Sequence, residues 1–267
     1  MGFINENRIR IKLNLKRQYK LMQISDCHVV KSHDDLSVKS ELNWLGMKQY
    51  FANVHREKYD STVHSISSIA CLNKLIDYCN QESHDLVMLS GDIIDYYSLD
   101  NYQTLCESLA KFKDKYLFVC GNHEIPSNKY KDISILKNPS VQLVDLGEIF
   151  VVGVDNSERC FKQDQLDFLM KLSDVKKPII LCMHYPIITE YNQKFFKENY
   201  NDYYYIDYKD CDGTTEKFIK FICDNDDVKA IFCGHCHGMS GTYFTNEKRQ
   251  YVCSSGLIGA INEIIIE

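Results

Sequence analysis

Short apolar runs bounded by turn residues recur along this chain, at residues 21–25, 86–89, 116–120, 179–183 and 230–233. Each is short enough to be a buried strand, and stretches of helical spacing lie between them. Ile66, Ile69, Leu72, Leu75, Ile76 and Cys79 mark a helix within 62–80, and Leu99, Tyr102, Leu105, Leu109 and Phe112 mark a second. Leu166, Leu169 and Leu172 mark a third within 163–172, and Phe218, Ile219 and Ile222 a fourth, with Thr214 or Thr215 as its cap. Strands alternating with helices predict an α/β chain in which outer helices back a sheet. Residues 9–15, I-R-I-K-L-N-L, alternate with period two and predict a half-exposed strand pairing near Tyr19–Ile24. Residues 141–144 and 149–154 read as neighbouring strands turning at Leu146-Gly147, and the end of the chain reads as strands at 241–244, 250–253 and 261–265.

Two segments break this alternation. Residues 29–60 are polar and weakly periodic and hold the only tryptophan, Trp44. A connection of that length reads either as a loop covering a site or as a peripheral insertion. Residues 186–212 carry Tyr191, Phe195, Phe196, Tyr200, Tyr203, Tyr204 and Tyr205, which read either as a recognition wall or as a small local core. Neither segment marks a break in composition, so residues 1–267 read as one domain with two insertions.

Composition narrows the class without naming a function. Of 267 residues, 45% are hydrophobic and 25% charged, as in a soluble globular protein. The formal charge of -6 gives no sign of a nucleic-acid surface. No apolar segment is long enough for a signal peptide or a membrane span, so a cytoplasmic protein without a membrane partner is expected. Twelve cysteines, set mostly inside apolar strands and helices, fit free thiols in a reducing compartment. Cys233 and Cys236 form C-x-x-C, read here as strand and turn packing. Oligomeric state is not readable from the sequence.

The chemistry lies just past the strands. Asp26 and His28 follow the first run, Asp92 and Asp95 the second, Asn122, His123 and Glu124 the third, His184 the fourth, and His235 and His237 the fifth. Open sheets place ligand sites beyond the carboxyl ends of their strands. Five of the nine histidines fall at these ends, too many for five unrelated packed imidazoles. Imidazoles and carboxylates suit divalent transition metals, and there is no paired thiolate set of the structural zinc type. Seven candidate ligands exceed the need of one ion, so two ions sharing a carboxylate are expected.

D-x-H at 26–28, G-D-x-x-D at 91–95, G-N-H-E at 121–124, the single His184 and G-H-x-H at 234–237 together resemble the calcineurin-like metallophosphoesterase family, block by block and in order. The resemblance spans about residues 18–256 and implies a four-layer α/β/β/α sandwich of two mixed sheets flanked by helices. It implies that Asp26, His28, Asp92 and His237 hold one ion and Asp92, Asn122, His184 and His235 the other, with Asp92 shared. It implies that His123 stabilises the transition state and protonates the leaving oxygen, with Asp95 orienting it. Asp155 and residues 165–169 also resemble family positions and are read as structural. Two ions lower the pKa of a water and set it for in-line attack on phosphorus. Manganese, iron and zinc, in divalent or mixed-valence pairs, all suit such ligands.

Departures from the pattern narrow the branch. The purple acid phosphatases carry tyrosine where Asp95 stands here, and the protein phosphatases carry arginines after the histidine blocks, where this chain has Ile125-Pro126. Arg159 and Lys31 are the nearest candidate cations for a monoester dianion. A small phosphodiester such as a cyclic nucleotide is therefore the expected substrate. A phosphomonoester is the alternative, ahead of nucleic acid or phosphoprotein.

Overall fold

The computed structural model describes residues 4–31, 67–125, 140–207, 209 and 212–267. The 29–60 insertion with Trp44 lies outside them from residue 32 onward. Thirteen strands form two large sheets and a two-stranded ribbon among the described residues. The first sheet contains β1 (Asn5–Ile11), β2 (Tyr19–Ile24), β3 (Leu86–Leu89), β4 (Tyr116–Phe118) and β13 (Ala260–Ile266), in the order β1-β13-β2-β3-β4. The second contains β5 (Val141–Asp145), β6 (Phe150–Val154), β7 (Ile179–Cys182), β10 (Val228–Cys233), β11 (Ser240–Tyr243) and β12 (Arg249–Val252), in the order β11-β12-β10-β7-β6-β5. β8 (Ile187–Ile188) and β9 (Ile206–Asp207) form the ribbon.

Both large sheets are mixed. β2, β3 and β4 run parallel, as do β6, β7, β10 and β12, while β13 against β2, β5 against β6 and β11 against β12 are antiparallel. The uninterrupted apolar runs follow from burial on both faces, because successive strand residues point to opposite sides. In β2 and β3, Leu21, Leu86 and Met88 face the second sheet, whereas Met22, Ile24, Val87 and Leu89 face α1 (Ser68–Gln81) and α2 (Leu99–Leu109). In β7 and β10, Ile180, Cys182, Ala230 and Phe232 face the first sheet, whereas Leu181 and Ile231 face α3 (Gln163–Ser173) and α5 (Gly213–Asp224), with the short α4 (Gln193–Asn199) between them in the chain. Helices, sheet, sheet and helices thus make the four layers of a metallophosphoesterase-like sandwich.

Three local expectations change. The alternating strand near the N-terminus covers 5–11 rather than 9–15, and Asn14 takes a left-handed backbone (φ 55) beyond it. That strand pairs in parallel with β13, which lies between it and β2. Local periodicity carries no information about a strand arriving from the far end of the chain. The cap of α5 is Asp212, whose carboxylate accepts from the Thr214 and Thr215 amides at 2.9 and 2.8 Å. No described cysteine is in a disulfide, and most are buried. Among the described residues no helix is long and apolar enough to cross a membrane.

The 186–212 segment divides its aromatics between the two readings. Phe196 and Tyr205 are buried in the core beneath α5. Tyr203 stands exposed on a 3₁₀ turn (Asp202–Tyr204). Tyr191 lines a separate surface cavity with Ile219, Cys223 and Phe244.

At the other end of α5, buried Lys248 donates from Nζ to the carbonyl oxygens of Ile222, at 2.9 Å, and Cys223. It closes the helix that feeds β10, satisfying carbonyls that helix geometry leaves without partners. Lys248→Met should lower the unfolding free energy by about 1–3 kcal/mol, the penalty of unsatisfied buried polar groups. Urea denaturation checks this, and an unchanged midpoint would refute the capping role.

Candidate metal centre

The polar residues after the strands meet at one place. Asp26, His28, Asp92 and His237 offer ligand atoms all within 4.8 Å of one another, and so do Asp92, His184 and His235. The two clusters share Asp92. Within the first, His28 Nε2 lies 2.9 Å from His237 Nε2, which is 3.2 Å from Asp26 Oδ1. Within the second, His184 Nε2 lies 3.2 Å from Asp92 Oδ2 and 3.1 Å from His235 Nδ1. The Asn122 side-chain oxygen is 3.2 Å from the same His184 nitrogen, so Asn122 joins the second cluster.

These donors fit cations. His184 Nδ1 lies 2.8 Å from the Ser90 carbonyl oxygen, His28 Nδ1 3.2 Å from Asp95 Oδ1, and His235 Nε2 3.3 Å from the Tyr203 carbonyl oxygen. A ring N–H directed outward to oxygen leaves the inward nitrogen as a lone-pair donor, the usual arrangement of metal-binding imidazoles. Inward nitrogens of different histidines then face each other, a contact that a shared cation makes favourable. Considered without a cation, burial opposes charge on His184, but Asp92 and Asp26 outweigh it and push His184 up to about 9. Burial and the neighbouring His184 charge push His235 down to about 3. Burial opposes the Asp92 charge too, yet the surrounding histidines hold it well below the usual carboxylate range.

The backbone that presents these groups is strained. Among the described residues eight non-glycine positions have positive φ, and five of them are Asp26 (53), His28 (44), Asp92 (53), His235 (67) and His237 (53). Left-handed conformations at such residues cost about 1–3 kcal/mol each and persist where surrounding structure enforces them. Here the loops are stitched together by main-chain bonds. The Asp26, His28 and Val29 amides donate to Gly91, Asp92 and Ile93 carbonyls at 2.9, 3.0 and 2.8 Å, and Gly234 donates to His184 at 2.9 Å. Gly91 itself has φ +92, and a Cβ there would come within 2.5 Å of His184 Nδ1.

His123 and Asp95 are adjacent, but not in the expected way. The Asp95 carboxylate lies 3.2 Å from His28 Nδ1 and 3.8 Å from His123 Nδ1. His123 Nδ1 instead hydrogen-bonds the Asp95 backbone carbonyl oxygen. The Asp95 amide is tied to the Val29 carbonyl at 3.2 Å, which keeps its carboxylate on the His28 side. The His123 amide donates to Asp92 Oδ1 at 2.9 Å, and His123 Nε2 stands 3.9 Å from Asp92 Oδ2. Burial works against charge on His123, but Asp92 and the Asp95 carbonyl prevail and raise its pKa.

Three further residues support the centre through contacts that the sequence does not show. Buried Glu124 accepts four backbone amides: Asp92 and Gly121 at 2.8 and 2.6 Å through Oε2, Ile93 and Ile94 at 2.7 and 3.0 Å through Oε1. Burial and the nearby Asp92 charge push Glu124 up to about 7, against the pull of those amides. Asn156 receives the His184 and Tyr185 amides, both at 3.0 Å. Gln23 links the sheets, donating to Ser90 Oγ and the Cys233 carbonyl at 2.9 Å. The G-N-H-E block was the one signal pointing at Glu124. Gln165 donates to the Asp155 and Ser140 carbonyls, at 2.6 and 3.1 Å, bonds that tie α3 to the end of β6. Arg159 donates to the Asp202 and Tyr205 carbonyls at 2.6 and 3.0 Å, clamping the 3₁₀ turn.

Glu124→Ala would strip four buried amides of their partner. It should lower stability by about 3 kcal/mol or more and reduce metal content together with it. Chemical denaturation and elemental analysis of the variant check this, and a loss below about 1 kcal/mol would rule out the clamp.

Comparison with known proteins gives a consistent picture. The family model of calcineurin-like phosphoesterases matches residues 19–239. A protein of Coxiella burnetii named as a probable cyclic nucleotide phosphodiesterase is 25% identical over 232 residues, covering 82% of this chain and 75% of that protein. One from Colwellia psychrerythraea bearing the same description is 25% identical over 197 residues, covering 67% of this chain and 66% of its own length. Among solved structures, a dimetal phosphatase from Danio rerio superposes with a TM-score of 0.60 at 12% identity, covering 91% of each chain. That likeness is one of fold.

Proposed function

Because the chain belongs to the calcineurin-like phosphoesterases and is a metal-dependent hydrolase, we propose that it hydrolyses small phosphodiesters, cyclic nucleotides foremost. The observation that carries the reading is the pair of ligand clusters sharing Asp92 with His123 beside them. Asp26, His28, Asp92 and His237 would hold one ion, and Asp92, Asn122, His184 and His235 the other. Manganese, iron or zinc would suit this mixed nitrogen and oxygen set. Bound there, two such ions would supply the positive charge that acidifies a water and neutralises phosphoryl oxygens.

The chain's own residues supply the rest. Asn122 contributes a neutral oxygen, adding no charge against an anionic ester. His123 holds a proton for the leaving ester oxygen, and both its raised pKa and the Asp95 carbonyl at Nδ1 favour the protonated ring. Asp95 acts through its carbonyl on His123 and through its carboxylate on His28. The choice of diester is supported by the descriptions of the relatives and by Arg159, whose Nη2 is engaged by the Asp202 and Tyr205 carbonyls.

The deciding experiment is an activity screen after reconstitution with manganese, iron or zinc. It compares an aryl monoester, an aryl diester, 2′,3′- and 3′,5′-cyclic nucleotides and a single-stranded oligonucleotide. Cyclic nucleotides and the aryl diester should be turned over fastest, and a preference for the monoester would overturn the diester reading. His123→Ala should reduce kcat by about 10²–10⁴-fold, the range for general acid catalysis, with both metals retained by elemental analysis. Near wild-type turnover in that variant would remove His123 from the chemistry.

A further inference from the structure

Tyr203 differs from the other aromatics of its segment. It is 51% exposed, yet its ring lies 5.3 Å from the His235 ring and its hydroxyl is 3.3 Å from Asn122 Nδ2. Its backbone carbonyl receives His235 Nε2 at 3.3 Å. One residue therefore touches two members of the second cluster, through main chain and side chain.

The hydroxyl is further constrained. The Asn122 amide nitrogen can only donate, so the Tyr203 oxygen accepts from it. Having accepted there, the hydroxyl keeps its own O–H as a donor.

The turn bearing Tyr203 is fixed on both sides. The Asn201 side chain accepts the Tyr203 amide at 3.0 Å, and Arg159 grips the Asp202 and Tyr205 carbonyls on either side. The Tyr205 hydroxyl in turn bonds Asp202 Oδ1 at 2.6 Å. A ring of this size, held half in solvent by so many bonds, is placed for contact with something other than the protein core.

We propose that Tyr203 is a substrate-contact residue of the second cluster, its O–H donating to an anionic phosphoryl oxygen of the bound ester. This rests on the phosphoesterase reading above and extends it to a residue outside every motif block. An aromatic donor beside Asn122 favours an ester whose single negative charge needs one directed hydrogen bond, as in a diester, over one that needs a cationic clamp.

Tyr203→Phe keeps the ring and the turn and removes only the hydroxyl. With metal content equal to wild type by elemental analysis, its inorganic phosphate dissociation constant, read by calorimetry on the metal-loaded protein, should rise about tenfold. Its kcat/KM for the aryl diester should fall about tenfold or more. Phosphate affinity and kcat/KM both within twofold of wild type would overturn the contact. Lowered metal content with unchanged phosphate affinity per loaded site would overturn it too, making Tyr203 only a support for Asn122. A wild type inactive on every ester in the screen would refute the phosphoesterase reading, whereas the phosphate titration would still decide the role of Tyr203.

Discussion

One buried carboxylate holds the two central loops in register. Glu124 accepts amides from Gly121 at the end of β4 and from Asp92, Ile93 and Ile94 after β3. Through those bonds the positions of Asn122 and His123 are set relative to Asp92, and Asp92 belongs to both ligand clusters. The stitching of the 26–29 loop to the 91–93 carbonyls carries the same register over to Asp26 and His28. The strained left-handed turns that present the ligands are tolerable because both sides of each turn are tied down. Rigidity of this kind lets metal ligands meet a fixed geometry without reorganising when an ion arrives.

The electrostatics follow from crowding. Two carboxylates and four inward-facing histidines are packed where water is excluded, so the charge on each depends on its neighbours. Asp92 stays ionised because histidines surround it, and His184 rises to about 9 because Asp92 is beside it. A site with such strong internal coupling has a built-in place for external positive charge. His123 sits at its margin, partly open to solvent.

Much of this was legible in the sequence because it depends on local pattern. Strands buried on both faces appear as unbroken apolar runs, and ligands at strand ends appear as short motifs, so Asp26, His28, Asp92, Asn122, His184, His235 and His237 could be singled out by inspection. What stayed hidden depends on partners far away or on the choice between atoms. Gln23 and Asn156 act on main-chain groups of other elements, which leave no mark in the sequence. The family resemblance pairs Asp95 with His123, but cannot say whether its carbonyl or its carboxylate faces the ring. Seven aromatics between Tyr191 and Tyr205 look alike in composition, and only packing separates buried Phe196 and Tyr205 from Tyr203 at the centre. The placement of β13 was invisible for a related reason, since its partners lie more than two hundred residues earlier.

That placement has a consequence for how the molecule is made. β13 lies between β1 and β2, the two strands that open the described chain, so neither can take its final neighbour until residue 266 has been synthesised. The second sheet and α3 to α5 involve only residues from 141 onward and use no strand of the first sheet. Asp26 and His28 extend from β2, which is flanked by β3 early in the chain and by β13 at its far end. Asp26, His28 and Asp92 thus wait for His237, more than two hundred residues after Asp26, and a complete first cluster, with the metal loading it allows, is a late event in biogenesis.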